Sequence, residues 1–288
     1  MNVLLTGASG FVGSHLARAL RAAEYVVIEA RRDVDDGTAA VRADFTRDLT
    51  VRDWLPKLAG IDAVINAVGI VREHGAQTFE SIHKRAPQAL FTACVAAGVR
   101  RIVQISALGA DRGMTRYFLS KRAADDYLAT LPLEWTIVRP ALVFGPGASS
   151  ARLFTRLAQL PVVPLPGRGE QRVQPLHIDD LTEALVHLLT DASTHRSRIE
   201  LVGPQSFSFR ELLVGLRATR RMSPPRFLSV PMSIVRAAAH VAASPVDSET
   251  LALLEAGERG DPATIRQLLG RPPKPIGQGR LGPIPAGQ

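Results

Sequence analysis

Eight residues near the start, Thr6-Gly7-Ala8-Ser9-Gly10-Phe11-Val12-Gly13, follow the apolar run Val3 to Leu5 and lead into a stretch whose apolar residues recur at helical spacing. Three glycines in this register between a buried strand and a helix constrain the chain strongly. Gly7 permits a sharp turn, Gly10 lets backbone N–H groups approach a pyrophosphate, and Gly13 allows the helix to lie close on the sheet. The helix start, with unpaired N–H groups and the positive end of its dipole, then faces an anion. Ser9, Phe11 and Val12 belong to the same phosphate loop. The plainer alternative is a glycine-rich turn with no ligand, and a second strand at Tyr25 to Ala30, where a βαβ unit needs one, tells against it.

The same rhythm continues. Ala63 to Asn66, Arg101 to Ser106 and Trp135 to Arg139 are short and rich in Val and Ile, as strands buried on both faces are. Helical patterns at Val12 to Ala23, Val51 to Leu58, Thr78 to Ala97 and Ser120 to Leu131 lie between them. Alternation of this kind predicts an α/β fold, a doubly wound parallel sheet over residues 1–147. After Gly145-Pro146-Gly147 the pattern changes. Residues 148–270 read as a smaller, mostly helical substrate region with a strand at Ile199 to Val202. Residues 271–288, half of them Pro or Gly, read as a disordered tail.

The end of the second strand bears on cofactor choice. A chain that binds NAD places an acidic residue about there, bonded to both ribose hydroxyls. This chain has Arg31-Arg32. A guanidinium on a 2′-phosphate is worth about 1.5–3 kcal/mol, so the reading favours NADP(H) over NAD(H) by roughly ten- to a hundredfold. Glu29 is the competing residue: turned toward the ribose, it would favour NAD.

Only three tyrosines and four lysines occur in the chain, and one of each stands in Tyr117-Phe118-Leu119-Ser120-Lys121. Spacing of four puts both side chains on one helix face. A nearby ammonium favours the phenolate and brings a tyrosine closer to proton transfer near neutral pH. Ser106 closes a strand at its carboxyl end, the edge where ligands sit in open α/β sheets, so its hydroxyl is a candidate to hold a substrate oxygen.

These residues resemble the short-chain dehydrogenase/reductase superfamily, in its extended and atypical branches, with a Rossmann-like nucleotide-binding domain. Asp44-Phe45, Asn66-Ala67-Val68-Gly69, Ser106-Ala107-Leu108-Gly109-Ala110, Arg139-Pro140, Phe144-Gly145-Pro146-Gly147 and His177-Ile178-Asp179-Asp180 carry the likeness. The Ser-Ala-Leu-Gly-Ala run, Gly203-Pro204 and Phe209-Arg210-Glu211-Leu212 look most like the subgroup of the 39 kDa accessory subunit of respiratory complex I. The resemblance implies NAD(P) along the glycine loop, Asp44 and Phe45 near the adenine, Ala67, Val68 and Gly69 along the cofactor, and Pro140 and Val143 beside the nicotinamide. It also implies that Ser106 orients the substrate, Tyr117 transfers the proton and Lys121 holds the ribose. One departure stands in the helix from Thr78, where members with a complete catalytic set carry an asparagine and this chain has His83. The implied activity is that of an NADP(H)-dependent oxidoreductase. A sugar-nucleotide-type epimerase or dehydratase is a close variant, and a non-catalytic NAD(P)H-binding protein, peripheral to a respiratory complex, is the alternative.

Composition narrows the partners. The net charge of +8 divides as +3 over residues 1–150 and +5 over 151–288, with no block of like charges and 5% aromatic residues, so nucleic acid is not expected. Cys94 is the single cysteine, in an Ala-rich helical segment, and reads as a small buried hydrophobe in a reducing, cytoplasmic setting. Neither signal peptide nor membrane span is expected. No Cys or His pair has zinc spacing, and neither His74 with His83 nor Asp35-Asp36 makes a metal site, so no metal is expected. Asp179 reads as an N-cap, His177 as a packed histidine, and Leu153, Phe154, Val162 and Val163 as the walls of a partly hydrophobic substrate pocket.

Overall fold

The structure is a computed structural model that describes all residues except 35–38, 240–247, 256, 258 and 277–288. Asp35 and Asp36 lie outside the described residues. The chain divides into two compact units, the first comprising Met1–Arg139 with Thr182–Glu200, the second Pro140–Leu181 with Leu201–Gln288.

In the first unit, β1 (Asn2–Thr6), β2 (Val26–Arg31), β3 (Ala40–Arg42), β4 (Ala63–Asn66), β5 (Arg101–Ile105) and β6 (Glu134–Pro140) form one sheet with the strand Ser197–Leu201. The order is Ser197–Leu201, β6, β5, β4, β1, β2, β3, and the pairs from β6 through β3 are parallel. Strand order reverses at β1, which is flanked by β2 and β4, so a crevice opens at the carboxyl ends of these strands. Val3, Leu4, Leu5, Val64, Ile65 and Ile102 are wholly buried, which accounts for their unbroken apolar runs. At the crevice edge the sheet turns polar. Thr6 Oγ1 donates to Asn66 Oδ1 at 2.6 Å and Asn66 Nδ2 to Gln104 Oε1 at 2.7 Å, joining three strands through buried side chains that would otherwise lack partners.

The helices follow the sequence pattern with local exceptions. The segment from Val51 begins as α2 (Val51–Trp54) and tightens to a 3₁₀ turn at Leu55–Leu58, where Pro56 offers no N–H. The segment expected over Thr78 to Ala97 starts as a π-helical turn, Glu80–Arg85, and continues as α3 (Ala86–Ala97), stopping at Gly98 with φ +75°. α4 (Arg116–Ala129) starts four residues earlier than the apolar pattern suggests, because Thr115 caps it through the Phe118 N–H. Cys94 in α3 is fully buried, and burial pushes its thiol up to about 12.

Three sequence expectations are corrected. The stretch 182–200, placed with the substrate region, belongs to the first unit, because Ser197–Leu201 completes the sheet edge beside β6. In the second unit, α5 (Ser149–Gln159) packs on α7 (Phe209–Ala218), and the Phe154 ring lies between Phe144 and Phe209 at centroid distances of 6.1 and 5.3 Å. Phe154 and Val163 are therefore core, while Val162 is 47% exposed, and the expected apolar pocket is not what these residues build. The unit also carries strand pairs, one of them the parallel pair Val162–Pro166 and Arg226–Val230, so it is less helical than its sequence suggests. Third, residues 271–276 are held in place. The buried Asp180 carboxylate accepts from Arg271 Nη2 at 2.8 Å and from the Lys274 N–H at 2.5 Å, Lys274 Nζ reaches Asp179 at 2.8 Å, and Ile276 is buried. Asp179 lies inside the first turn of α6 (Ile178–Leu188) and is not its cap.

Candidate functional site

α1 (Phe11–Ala22) begins at Gly10 with no side chain capping it, which leaves the first backbone N–H groups of the helix without a side-chain acceptor. Each glycine of the loop is fixed by contact. Gly7 has φ +71°, and a Cβ there would stand 2.7 Å from the Ala67 carbonyl oxygen; one at Gly13 would stand 2.0 Å from the Gly7 carbonyl oxygen. Gly10 is looser, its nearest neighbour the same oxygen at 3.2 Å. Ser9 is exposed, and Phe11 turns its ring edge onto His15. The loop thus packs backbone on backbone and keeps its outer surface clear, a shape that suits a pyrophosphate against the helix start.

At the end of β2 the two arginines separate. Glu29 is 5% exposed, and its carboxylate is clasped by Arg21 of α1 and by Arg31. Burial raises the Glu29 carboxyl, but the hydrogen bonds and charges of Arg21 and Arg31 outweigh it and hold the group below its usual range. Glu29 is thereby engaged inside the fold, and Arg31 is neutralised by it. Arg32 instead lines an open polar cleft of about 720 Å³ with Asp33, Arg42, Asp44, Arg47, Asp48 and Lys57. Asp44 accepts from the Thr46 N–H and hydroxyl; against the raising effect of burial, these bonds and the charges of Arg47 and Arg32 hold its carboxyl below the usual range. Phe45 is buried and set edge-on to Trp54 at 5.2 Å.

The loop after β4 meets the π-helical turn Glu80–Arg85 and α4. Tyr117 and Lys121 project from one face of α4, as their spacing requires. Tyr117 is half-buried and touches the rings of Phe79, His83 and Phe118. Lys121 is buried, its Nζ donates to the Ile105 carbonyl at 3.3 Å, and the same ammonium lies 3.0 Å from where a Cβ of Gly69 would be. His83, 2% exposed, comes from the π-helical turn. Its Nε2 accepts the Ile70 N–H at 3.0 Å and its Nδ1 meets Ser120 Oγ at 2.9 Å. Burial and the Lys121 charge push its pKa well below 6.5. A neutral ring that accepts at Nε2 carries its hydrogen on Nδ1, so Nδ1 is the donor to Ser120, whose own hydroxyl donates to the Tyr117 carbonyl at 2.7 Å.

Ser106 follows Ile105, the acceptor of the Lys121 ammonium, and turns its hydroxyl to α4. It is 5% exposed and donates to Asp125 Oδ2 at 2.7 Å, beside Arg139 Nε at 3.6 Å from the same oxygen. A buried hydroxyl already engaged in this way holds a carboxylate. Asp125 is a residue the sequence reading passed over, although it extends the Tyr117, Lys121 spacing by another four on α4. Burial pushes its pKa up to about 6 against the opposing pull of Ser106, Arg139 and Lys121. In the second unit Pro140 ends β6, and Val143 opens a two-residue strand paired with Leu176.

Burial pushes Lys121 down to about 8 from an ordinary 10.5, with Asp125 opposing the shift. Between about 8 and 10.5 the unfolded chain holds this proton and the folded chain does not, so stability rises with pH across that window. The interval corresponds to about 3 kcal/mol. Lys121→Met is expected to remove this rise, read as chemical denaturation midpoints at pH 7.5 and 10.

The family model described as NAD dependent epimerase/dehydratase matches residues 3–202. The chain belongs to this family. A ceramide reductase of Caulobacter vibrioides is 28% identical over 234 residues, 80% of this chain and 73% of that protein. The 40 kDa subunit of mitochondrial NADH-ubiquinone oxidoreductase from Neurospora crassa is 26% identical over 82% of this chain and 64% of that protein, and an Arabidopsis thaliana complex I subunit is 27% identical over 81% and 61%. The chain thus spans under two thirds of these complex I relatives. Among solved structures, a nucleoside-diphosphate-sugar epimerase of Staphylococcus aureus superposes with TM-score 0.76 at 20% identity, covering 95% of this chain and 97% of that one. A dTDP-glucose 4,6-dehydratase of Streptomyces venezuelae with bound NAD gives TM-score 0.70 at 21% identity over 95% and 92%; both show the fold that this epimerase/dehydratase family member shares.

Proposed function

We propose that this chain is an NADP(H)-dependent oxidoreductase in which Tyr117 transfers the proton. The observation that carries this reading is the grouping of Tyr117, His83, the buried Lys121 and Gly69 beyond the carboxyl ends of the paired strands β1 and β4. Gly7, Ser9, Gly10, Phe11, Val12 and Gly13 would hold the pyrophosphate, Asp44 and Arg32 the adenosine end, and Ala67 to Gly69 with Lys121 the nicotinamide ribose. The cofactor supplies hydride transfer when bound. Tyr117 gives or takes the proton at the substrate oxygen, and Lys121, charged below about pH 8, favours the phenolate and steadies it. The ceramide reductase relative supports a lipid-like carbonyl substrate. The reduced, buried Cys94 fits a cytoplasmic setting.

Preference for NADP rests on Arg32, since Arg31 is already matched by Glu29. Arg32→Ala is expected to weaken NADPH binding roughly ten- to a hundredfold and leave NADH unchanged. Arg31→Ala should leave the NADPH to NADH ratio near wild type and lower stability instead, because buried Glu29 loses one of two cations. Fluorescence titration of both cofactors checks this, and an equal loss of NADPH and NADH in Arg32→Ala would overturn the assignment.

A second reading has its own observation. Ser106, which the resemblance assigns to the substrate, gives its hydrogen to Asp125. That arrangement, with the complex I relatives, supports a non-catalytic NAD(P)H-binding protein that associates with a respiratory complex. Tight cofactor binding with no turnover across a panel of aldehydes, ketones and sugar nucleotides would favour it.

A further inference from the structure

His83 is the most constrained polar side chain near Tyr117, and neither proton transfer nor cofactor holding accounts for it. It is 2% exposed, yet both ring nitrogens are satisfied, one by a backbone N–H of the loop after β4 and one by a side chain of α4. Its ring lies nearly parallel to Phe79, with centroids 5.3 Å apart and planes 22° apart, and meets Tyr117 edge to face at 5.5 Å. Its Nε2 is also 3.6 Å from the Cβ position of Gly69. The turn that delivers it, Glu80–Arg85, is π-helical, which moves the side chain off the ordinary helical register.

We infer that His83 is a positioning residue: through the Ile70 N–H and the Ser120 hydroxyl it ties the 67–70 loop to α4 and thereby fixes Tyr117 and Lys121 against that loop. The inference rests on the assignment of Tyr117 and Lys121 above. A phenylalanine at this position keeps the ring stack and loses both hydrogen bonds. A glutamine can restore both, its carbonyl oxygen accepting from Ile70 and its NH₂ donating to Ser120. Loss of the bonds frees the loop from the helix and leaves the Ile70 N–H without its acceptor. Packing and positioning are thus separable by substitution. Ser120→Ala provides a milder cut, since it removes the Nδ1 partner, together with that hydroxyl's own bond to the Tyr117 carbonyl, and leaves the ring and the Ile70 bond in place.

The test compares wild type, His83→Phe, His83→Gln and Ser120→Ala by two measurements that need no substrate. Tyr117 ionisation is read as ultraviolet phenolate absorbance with the Tyr117→Phe titration subtracted, and NADPH affinity by fluorescence. His83→Phe is expected to raise the apparent Tyr117 pKa by roughly one unit, as its distance from the Lys121 charge becomes less fixed, and to weaken NADPH about five- to tenfold. Ser120→Ala should move both in the same direction by less, and His83→Gln should return both toward wild type. If His83→Phe and Ser120→Ala leave Tyr117 ionisation and NADPH affinity unchanged, whatever their melting temperatures, His83 is only a packing residue. If His83→Gln shifts as far as His83→Phe, ring packing rather than the two bonds is responsible and the inference also fails. Should His83→Phe not fold, Ser120→Ala and His83→Gln still decide. Failure of the oxidoreductase reading would appear separately, in wild-type protein that binds NADPH and turns nothing over.

Discussion

Replacing Tyr117 with phenylalanine is expected to lower turnover of a carbonyl substrate by roughly 10²–10⁴-fold, the usual worth of a positioned proton donor, while NADPH affinity stays within about twofold. The change removes one hydroxyl. The ring contacts with Phe79, His83 and Phe118 are kept, so folding and the shape of the crevice are preserved. A loss in kcat with unchanged melting temperature and NADPH titration is therefore specific to proton transfer. Wild-type activity should also depend on a group near pH 8, because Lys121 loses its charge there and no longer favours the phenolate. Turnover of Tyr117→Phe equal to wild type on the same substrate would remove Tyr117 from the chemistry.

Gly13→Ala is expected to damage fold and cofactor binding together. The new methyl would stand 2.0 Å from the Gly7 carbonyl oxygen, and that atom is backbone with no rotamer to escape through. α1 must shift, and Leu16 and Leu20, both fully buried, shift with it. Overpacking of this kind costs about 1–3 kcal/mol or more, each kcal/mol lowering Tm by about 2–4 °C in a chain of this size. Gly10→Ala is the contrast. Its Cβ meets only the Gly7 oxygen, at 3.2 Å, and Gly10 has φ −77°, a backbone that alanine adopts. Gly10→Ala should melt within a few degrees of wild type and still bind NADPH at least about tenfold more weakly, since the methyl covers the N–H groups that approach the phosphate. Calorimetric melting and NADPH titration of the two variants measure the separation, and a Gly13→Ala protein with wild-type Tm would refute the packing argument.

Much of this was legible along the chain. Alternating Val/Ile runs and amphipathic stretches suffice for a parallel α/β sheet, because strands buried on both faces have no polar face to alternate with. The Tyr117 and Lys121 pair is visible because four residues is close to one helical turn. Glu29 and Arg31 show where local reading stops. Both are conspicuous in sequence, but which of Arg31 and Arg32 stays available depends on Arg21 arriving from α1 to share the buried carboxylate. Ser106 is similar: its position at a strand end suggests a ligand, and only the approach of Asp125 on α4 shows that its hydrogen is spent inside the fold. The segment 271–276 has the composition of a loose tail, and it is held because Asp180, some ninety residues away in sequence, is buried with its carboxylate facing it.

By itself the sequence determined the class of sheet, the glycine loop between β1 and α1 and the placing of Tyr117 and Lys121 on one helix face, since each depends on the spacing of a few neighbouring residues and on the fixed periods of strand and helix. The tertiary structure decided which charges are left for a ligand and which are consumed in burial. It also decided that Ser197–Leu201 returns to the sheet edge and that His83 stands between the loop after β4 and α4. These outcomes depend on which distant groups meet in a low-dielectric interior, where an unpaired charge or hydrogen-bond donor is costly and each must take the partner that packing brings to it.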